Sequence, residues 1–233
     1  MIKGNDMRGE LRQDQLLHYT LYGSMENRGG RVIWALEELG LPYRLIDLQL
    51  FKGEQRHADY LKINPQGKVP ALVVHREENI EVTTEPEIIT ESLAILLSLA
   101  DRHSELLPQD SSERARCFYW LAFTATELEP PLWTHSKHSF VYPEKRRVSE
   151  IFPSCLFEFQ KALNHIESSL SVGNEYLLPS GFSVADIFLG QTLMWGKSRG
   201  LGELGESSLT YLKRLKARPA WQRALATRAK RAD

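Results

Sequence analysis

The side chains in this sequence best suited to act as nucleophiles or metal ligands are two thiols and a pair of closely spaced imidazoles. Cys117 and Cys155 do not form a CxxC pair, and two cysteines cannot build a disulfide framework. His135 and His138 have an i,i+3 spacing, which places two side chains on one face of a helix. A metal site needs a third ligand, and no pattern marks one nearby. We therefore expect no metal.

Two other patterns are typical of anion binding. The segment Gly200–Gly205 (GLGELG) resembles a phosphate-binding loop, but it follows a predicted helix rather than a strand, and we interpret it as a connection. Glu91 and Ser92 stand at the start of a predicted helix, where free N–H groups and the positive end of the dipole attract an anion. The Ser92 hydroxyl can add a hydrogen bond to that anion or can serve as an ordinary helix cap.

The elements that must position these residues change character along the chain. In the first half, short β-forming runs bounded by turn residues alternate with helical periodicity. Strands are predicted at 16–22, 43–50, 70–74 and 87–90, and helices at 31–39 and 92–101. The first three elements form a βαβ unit, whose two strands should be parallel. The complete order, βαβ-ββα, is that of a thioredoxin-like α/β fold.

The second half has helical periodicity throughout. A polar, proline-containing segment at 103–111 is interpreted as a linker. The predicted helices then span 114–126, 156–170, 183–195, 209–217 and 221–230. Ser183 is a strong N-cap for the third of them, and Asp186 favours the same helix end. We therefore predict a thioredoxin-like domain at 15–102 followed by an all-α helical bundle at 111–230.

The first predicted domain lacks the group that such a fold normally uses. A thioredoxin-like domain usually carries a reactive thiol at the end of its first strand, but this chain has no cysteine before Cys117. Either a bound ligand supplies the thiol, or the domain performs no thiol chemistry.

Four motifs in a fixed order resemble those of a cytosolic glutathione S-transferase of the bacterial, proteobacterial type. They are LEELGLPY at 36–43, NPQGKVP at 64–70, TESLAI at 90–95 and SVADI at 183–187. The segment ELEPPLW at 127–133 resembles a subset of proteobacterial transferases. The resemblance covers about residues 15–230. It implies glutathione as a co-substrate, a hydrophobic electrophile as second substrate, a detoxification role and a homodimer.

The resemblance assigns a glutathione site to two of these motifs. It implies that Pro70 is cis and that the Val69 backbone pairs with the cysteinyl part of glutathione, as an added strand would. The alternative is an ordinary turn before an edge strand. Ser92 would hold the γ-glutamyl carboxylate, and Glu91 would accept from the ammonium group.

The same turn supplies two weaker candidates for glutathione binding. Lys68 is expected to pair with a glutathione carboxylate, and Gln66 is a further candidate. Each of them can equally be a solvated turn residue.

Activating glutathione requires a group that stabilises its thiolate. Lowering a thiol pKa from ~8.5 by ~2 units takes about 2.7 kcal/mol of preferential stabilisation. In the serine-type family pattern the activating residue stands four before an arginine matching Arg31, and this count arrives at Asn27. Asn27 can donate from its amide to the thiolate or can cap the following helix. Tyr22 and Ser24 remain alternatives.

The segment 130–138, which is aromatic and basic, is expected to line the second substrate's pocket. Trp133 is the candidate wall of this pocket, with core packing as the alternative, and His135 is a further candidate. Arg28 is close enough to the sulfur to add positive charge, but we expect it to be solvated. The basic run Lys213–Arg231 is also expected to be a solvated helical face.

Composition limits the remaining classes. The formal net charge is -1, from 29 basic and 30 acidic residues, which gives no reason to expect nucleic acid or a membrane as partner. The polar segment Met1–Gln15 is interpreted as a frayed arm without the apolar region of a signal peptide, and a cytoplasmic location is expected. The predicted function is conjugation of glutathione to an electrophile. The alternatives are glutathione-dependent disulfide or peroxide reduction, and glutathione binding without catalysis.

Overall fold

A computed structural model describes residues 17–76, 85–170 and 172–229 of the chain. Its strands are β1 (Leu17–Tyr22), β2 (Tyr43–Ile46), β3 (Ala71–Arg76) and β4 (Glu87–Thr90). Its helices are α1 (Gly29–Glu38), α2 (Ala58–Ile63), α3 (Ser92–His103), α4 (Ser111–Phe123), α5 (Glu129–Ser136), α6 (Phe152–Leu170), α7 (Val184–Arg199), α8 (Glu206–Ala217) and α9 (Pro219–Ala229). The predicted arm Met1–Gln15 lies outside the described residues.

The four strands form one mixed sheet in the order β2-β1-β3-β4. β1 and β2 are parallel, as the predicted βαβ unit requires, while β3 runs antiparallel to both β1 and β4. Tyr22 pairs with Ala71, and Ala71 pairs with Thr90. The thioredoxin-like arrangement predicted for the first half is confirmed.

One helix of this half was not predicted. The prediction carried a strand from Tyr43 to residue 50, but β2 ends at Ile46 and two 3-10 turns follow, at Leu50–Lys52 and Glu54–Arg56. They lead into α2, which has only six residues and buries only Tyr60 fully. A helix with so small a buried face produces no 3.6-residue hydrophobic period, which explains why the sequence pattern missed it.

The second half is helical, as predicted, with a break in regularity near its start. The helical segment from α4 to residue 141 contains two π-helical turns, Thr124–Leu128 and Lys137–Val141. The first turn lies just ahead of Pro130 and Pro131, which have no N–H to donate to the preceding turn. A π turn changes which helix face points inward, so it sets the direction of the α5 side chains.

The predicted cap of α7 is confirmed and extends further than the sequence indicated. The Ser183 hydroxyl accepts from the Ala185 N–H, and Asp186 Oδ2 accepts from the Ser183 N–H at 2.9 Å. Asp186 Oδ1 also accepts from the Leu177 N–H and from the Tyr211 hydroxyl. This buried carboxylate therefore connects α7 to α8 and to the loop before α7.

The hydrophobic core continues across the predicted domain boundary. The Trp34 ring on α1 lies 4.8 Å from the Trp221 ring on α9, measured between ring centroids. Beside this contact, Arg218 donates to both carboxylate oxygens of Glu38, at 2.6 and 2.8 Å. The expectation that the basic run Lys213–Arg231 is a solvated helical face is therefore wrong for Arg218, which joins the two halves. The domain limits 15–102 and 111–230 stay a prediction.

Within the described residues, no helix combines the length and apolar character needed to cross a membrane.

Candidate functional site

The sheet register gathers most of the predicted site residues at one edge. Because Tyr22, Ala71 and Thr90 are paired across three neighbouring strands, the segments beyond them emerge side by side. These segments contain Ser24 after β1, Val69 and Pro70 before β3, and Glu91 and Ser92 after β4. The N-termini of α1 and α3 open at the same edge, so it combines exposed backbone with two helix dipoles that favour anions.

The backbone ahead of β3 has the geometry expected of it. The Val69–Pro70 peptide bond is cis, as the family resemblance implied. Within the described part of the chain, neither the N–H nor the C=O of Val69 has a hydrogen-bond partner. A partly buried backbone pair without partners can accept an extended peptide ligand as a short added strand.

Side chains from α2 and from the residue after it stabilise the turn that precedes Val69. The Lys68 carbonyl accepts from the Tyr60 hydroxyl and, at 2.8 Å, from the side-chain amide of Asn64. Asn64 Oδ1 also accepts from the Gln66 N–H. The side chains of Lys68 and Gln66 are exposed at this turn. Both are available to a carboxylate at this edge.

The residues at the start of α3 are placed with unusual backbone geometry. Glu91 has φ +67°, a region that a non-glycine residue rarely adopts and that is often retained at ligand sites. Ser92 is buried, and its hydroxyl oxygen accepts from Arg31 Nη1 at 3.1 Å. Because Arg31 occupies the oxygen as an acceptor, the Ser92 hydroxyl proton remains available to an anion.

Ser24 and Asn27 form a compact pair between β1 and α1. Asn27 Nδ2 donates to Ser24 Oγ at 2.9 Å, and Asn27 Oδ1 accepts from the Ser24 and Gly29 N–H groups at 3.2 and 2.8 Å. One Nδ2 hydrogen and the Ser24 hydroxyl proton have no acceptor among the described residues. The Asn27 carbonyl oxygen thus serves the turn and the helix end, while donors remain for a ligand.

Gly29, which was not among the predicted site residues, permits this tight turn. A Cβ at this position would lie 2.7 Å from the Ser24 nitrogen and 2.8 Å from the Gly23 Cα. Both neighbours are backbone atoms, so they cannot rotate away. The consecutive glycines at 29 and 30 were the available sequence signal.

Tyr22 ends β1 beside the same turn. Its ring packs on Tyr60, with a centroid separation of 5.4 Å. The ring is only partly buried, and no described residue binds its hydroxyl.

Beneath the edge lies a buried ion-pair cluster whose members come from both halves of the chain. Arg31 is 1% exposed, and its guanidinium donates to Gln191, Ser92, Glu129 and Thr192. Burial raises the pKa of Glu129, but the charges of Arg31 and Arg28 outweigh this, and the pKa lies below its usual value. Glu129 is therefore an anion shared by two guanidinium groups. Neither Arg31 nor Glu129 was among the predicted site residues.

Arg28 is not solvated as expected. Its Nε donates to Glu129 Oε1 at 2.5 Å, and its guanidinium lies 4.7 Å from the Trp133 ring and 5.1 Å from the Trp195 ring. The ion pair and the two indole faces hold the guanidinium in one place. The expectation failed because all three partners are distant in sequence.

The two residues predicted to line the second pocket have different neighbours. Trp133 reaches Arg28 and Trp195, at the junction of α1, α5 and α7. His135 lies two residues further along α5, and its ring packs on Phe152 at 4.5 Å. Burial, with a smaller contribution from Arg199, lowers the pKa of His135. Of these two residues, Trp133 is therefore the one whose side chain contacts the first half of the chain, through Arg28.

The chain's own thiols are far from an activated state. Cys117 and Cys155 are buried, and burial raises the pKa of the Cys117 thiol to about 11. Among the described residues, no group of three or more His, Cys, Asp or Glu side chains is arranged to hold a metal ion.

Comparison with known proteins decides the family. A profile of the glutathione S-transferase N-terminal domain matches residues 29–102. The chain is 30% identical over 206 residues to the disulfide-bond oxidoreductase YfcG of Escherichia coli K12, covering 88% of this chain and 93% of that protein. It belongs to the cytosolic glutathione S-transferase family, of the bacterial type. Homodimers and detoxification are typical of this family.

Two further relatives support this family assignment. Glutathione S-transferase GstA of Escherichia coli O157:H7 is 28% identical over 198 residues, covering 82% of this chain and 89% of that protein. The glutathione transferase URE2P6 of Phanerochaete chrysosporium, solved in complex with oxidized glutathione, superposes with a TM-score of 0.73 at 29% identity. That match covers 91% of this chain and 96% of the other.

Proposed function

We propose that this member of the transferase family binds glutathione at the edge formed by Ser24, Val69 and Ser92, and conjugates it to an electrophile held beside Trp133. The observation that carries the proposal is the unpartnered backbone of Val69 next to two helix N-termini. An extended tripeptide with a terminal carboxylate fits this combination of strand edge and positive dipole ends. Glu91, Lys68 and Gln66 provide the further polar contacts.

The thiolate of bound glutathione would be stabilised by hydrogen bonds from the protein. The remaining Nδ2 hydrogen of Asn27 and the hydroxyl of Ser24 can both donate toward sulfur, close to the N-terminus of α1. Tyr22 is the alternative donor. The thiolate sulfur would form the new bond to the electrophilic carbon, whose leaving group departs with the bonding electron pair.

The pH dependence of the ultraviolet thiolate absorbance of bound glutathione tests this site. We compare the wild-type protein with Asn27→Ala, Ser24→Ala and Tyr22→Phe. The wild-type protein should depress the thiol pKa, and the variant that removes the donor should restore it toward ~8.5. If glutathione does not bind, the site is wrong. If glutathione binds with an unshifted thiol pKa, the site serves binding without catalysis.

Reduction of disulfides with glutathione is a second candidate function. It is favoured because the relative YfcG is named a disulfide-bond oxidoreductase, and because asparagine occupies the position where the family pattern has an activating residue. A mixed glutathione disulfide and a halo-aromatic electrophile, offered in parallel, separate the two reactions. Faster turnover of the disulfide would favour reduction over conjugation.

We also propose a cytoplasmic homodimer. Phe51, in the 3-10 turn after β2, is 97% exposed, so a second copy of the chain that covered it would bury a complete aromatic side chain. Sedimentation velocity should give a dimer for the wild-type protein and a lower association constant for Phe51→Ser. An exposed control, Phe157→Ser, should leave the association constant unchanged if Phe51 lies in the interface.

A further inference from the structure

The cluster of Arg28, Arg31 and Glu129 contains two positive charges and one negative charge. Arg31 is buried, and each of its nitrogens already donates to a described side chain. Arg28 uses only Nε, which donates to Glu129, and neither of its Nη atoms has a hydrogen-bond partner among the described residues. The excess positive charge of the cluster is therefore presented by Arg28.

The Arg28 guanidinium is also held in a fixed orientation. Glu129 binds it at Nε, and the rings of Trp133 and Trp195 lie within about 5 Å of it. Its side chain keeps 28% exposure, so solvent or a ligand can reach it. A guanidinium whose position is already fixed loses little conformational entropy when its two Nη groups bind a carboxylate as a pair.

The contacts of Arg28 place it beside the proposed pocket for the second substrate rather than among the backbone groups proposed to bind glutathione. It follows Asn27 directly and touches Trp133, the residue proposed as the wall of the electrophile pocket. An aromatic molecule lying on this side would meet an indole surface and two unoccupied donors. The two features together match an aromatic ring that carries an anionic group.

We propose that Arg28 is a specificity-determining residue that selects aromatic second substrates bearing a carboxylate. The proposal rests on the proposed function for the location of the sulfur. For a substrate such as 4-chloro-3-nitrobenzoate, the glutathione thiolate forms a C–S bond to the ring carbon and chloride leaves with the bonding electrons. The carboxylate is unchanged by the reaction and serves only for binding to Arg28.

The test compares two S-conjugates of glutathione that differ in one group, a 2-nitro-4-carboxyphenyl and a 2-nitro-4-carbamoylphenyl derivative. Their dissociation constants are measured by calorimetry for the wild-type protein, Arg28→Gln and Arg102→Gln. Arg102 is a matched control, since it is 22% exposed and pairs with Glu87, but it stands at the end of α3 opposite Ser92.

Removing a charged hydrogen-bond pair should weaken binding of the carboxylate conjugate to Arg28→Gln at least about tenfold. The carbamoyl conjugate should change less than about twofold, and Arg102→Gln should leave both constants as in the wild-type protein. If both conjugates weaken equally in Arg28→Gln, or if neither weakens, the proposal is overturned. If Arg28→Gln does not fold, Arg28→Lys replaces it, because it keeps the charge and loses the paired donors. A smaller loss, again confined to the carboxylate conjugate, is then expected, and equal binding of the two conjugates overturns the proposal.

Binding of glutathione alone separates this proposal from the proposed function. A wild-type protein that binds glutathione but does not distinguish the conjugates contradicts only the role of Arg28. A wild-type protein that does not bind glutathione contradicts the proposed function. Arg28 is then judged with 4-chloro-3-nitrobenzoate and 4-chloro-3-nitrobenzamide alone: a preference for the benzoate that Arg28→Gln abolishes supports the proposal, and equal binding overturns it.

Discussion

Asn27 and Ser24 are joined by two hydrogen bonds of opposite direction. The Asn27 amide donates to the Ser24 hydroxyl oxygen at 2.9 Å, and its carbonyl oxygen accepts from the Ser24 backbone N–H at 3.2 Å. The same carbonyl oxygen accepts from the N–H of Gly29, the first residue of α1. One side chain therefore closes the turn after β1 and satisfies a free donor at the helix end, while retaining a hydrogen for a ligand.

Asn27→Ala should lower the free energy of unfolding by about 1 kcal/mol, because two backbone donors lose their acceptor at a helix N-terminus. Asn27→Asp keeps the acceptor oxygens and should stay near wild-type stability, although it cannot donate to a thiolate. Urea denaturation of the three proteins measures the difference. Equal losses for alanine and aspartate would show that the accepting oxygen does not stabilise the turn.

Gly29→Ala should destabilise the protein by roughly 1–3 kcal/mol, since the added Cβ meets backbone atoms of Gly23 and Ser24 that must move. Gly30→Ala is the matched control. Its Cβ would lie 3.3 Å from the Met25 backbone, and removing a helical glycine offsets part of that crowding. Thermal and urea unfolding, with glutathione affinity, are measured for both variants. Similar stability of the two would contradict the crowding at Gly29.

Glu129→Gln should cost about 3–5 kcal/mol at neutral pH, because the buried guanidinium of Arg31 and the partly exposed one of Arg28 lose their shared counterion. The pKa of Glu129 is lowered in the folded protein, so its contribution is present above the unfolded-state pKa of about 4.3 and is lost as the pH falls through the folded-state pKa. The stability difference between the wild-type protein and Glu129→Gln should therefore shrink in acid. Unfolding free energies across this pH range measure it, and a constant difference would contradict the ion pair.

Trp221→Ala should lower the free energy of unfolding by about 3–5 kcal/mol, because it leaves a cavity against Trp34 at the junction of α1 and α9. Phe157, which is 71% exposed on α6, is an aromatic control, and its alanine variant should change stability by less than about 0.5 kcal/mol. Denaturation followed by far-ultraviolet circular dichroism, a signal from the backbone rather than from the tryptophans, gives the free energy of unfolding of both variants. A small effect at Trp221 would mean that α9 is not needed to hold α1.

Most of the fold followed from local patterns. β4 begins and ends where the sequence predicted, and Ser183 caps α7, because strand alternation and capping depend on residues close together in the chain. The six-residue α2 escaped prediction since it buries too little surface to show a period. The π-helical turn before α5 also escaped, because its register is settled by packing on α6 and α7 as well as by the two prolines.

The sequence by itself determined the family, the order of the four strands and of the helices other than α2 and α5, and the residues that line the sheet edge, since each of these depends on short motifs whose effects are local. Only the tertiary structure decided what Arg28, Arg31 and Arg218 do. Their carboxylate partners are about 100 to 180 residues away. An arginine in a sequence carries no mark of whether a distant carboxylate will be folded against it, so burial and pairing of charge appear only when the two halves of the chain pack together.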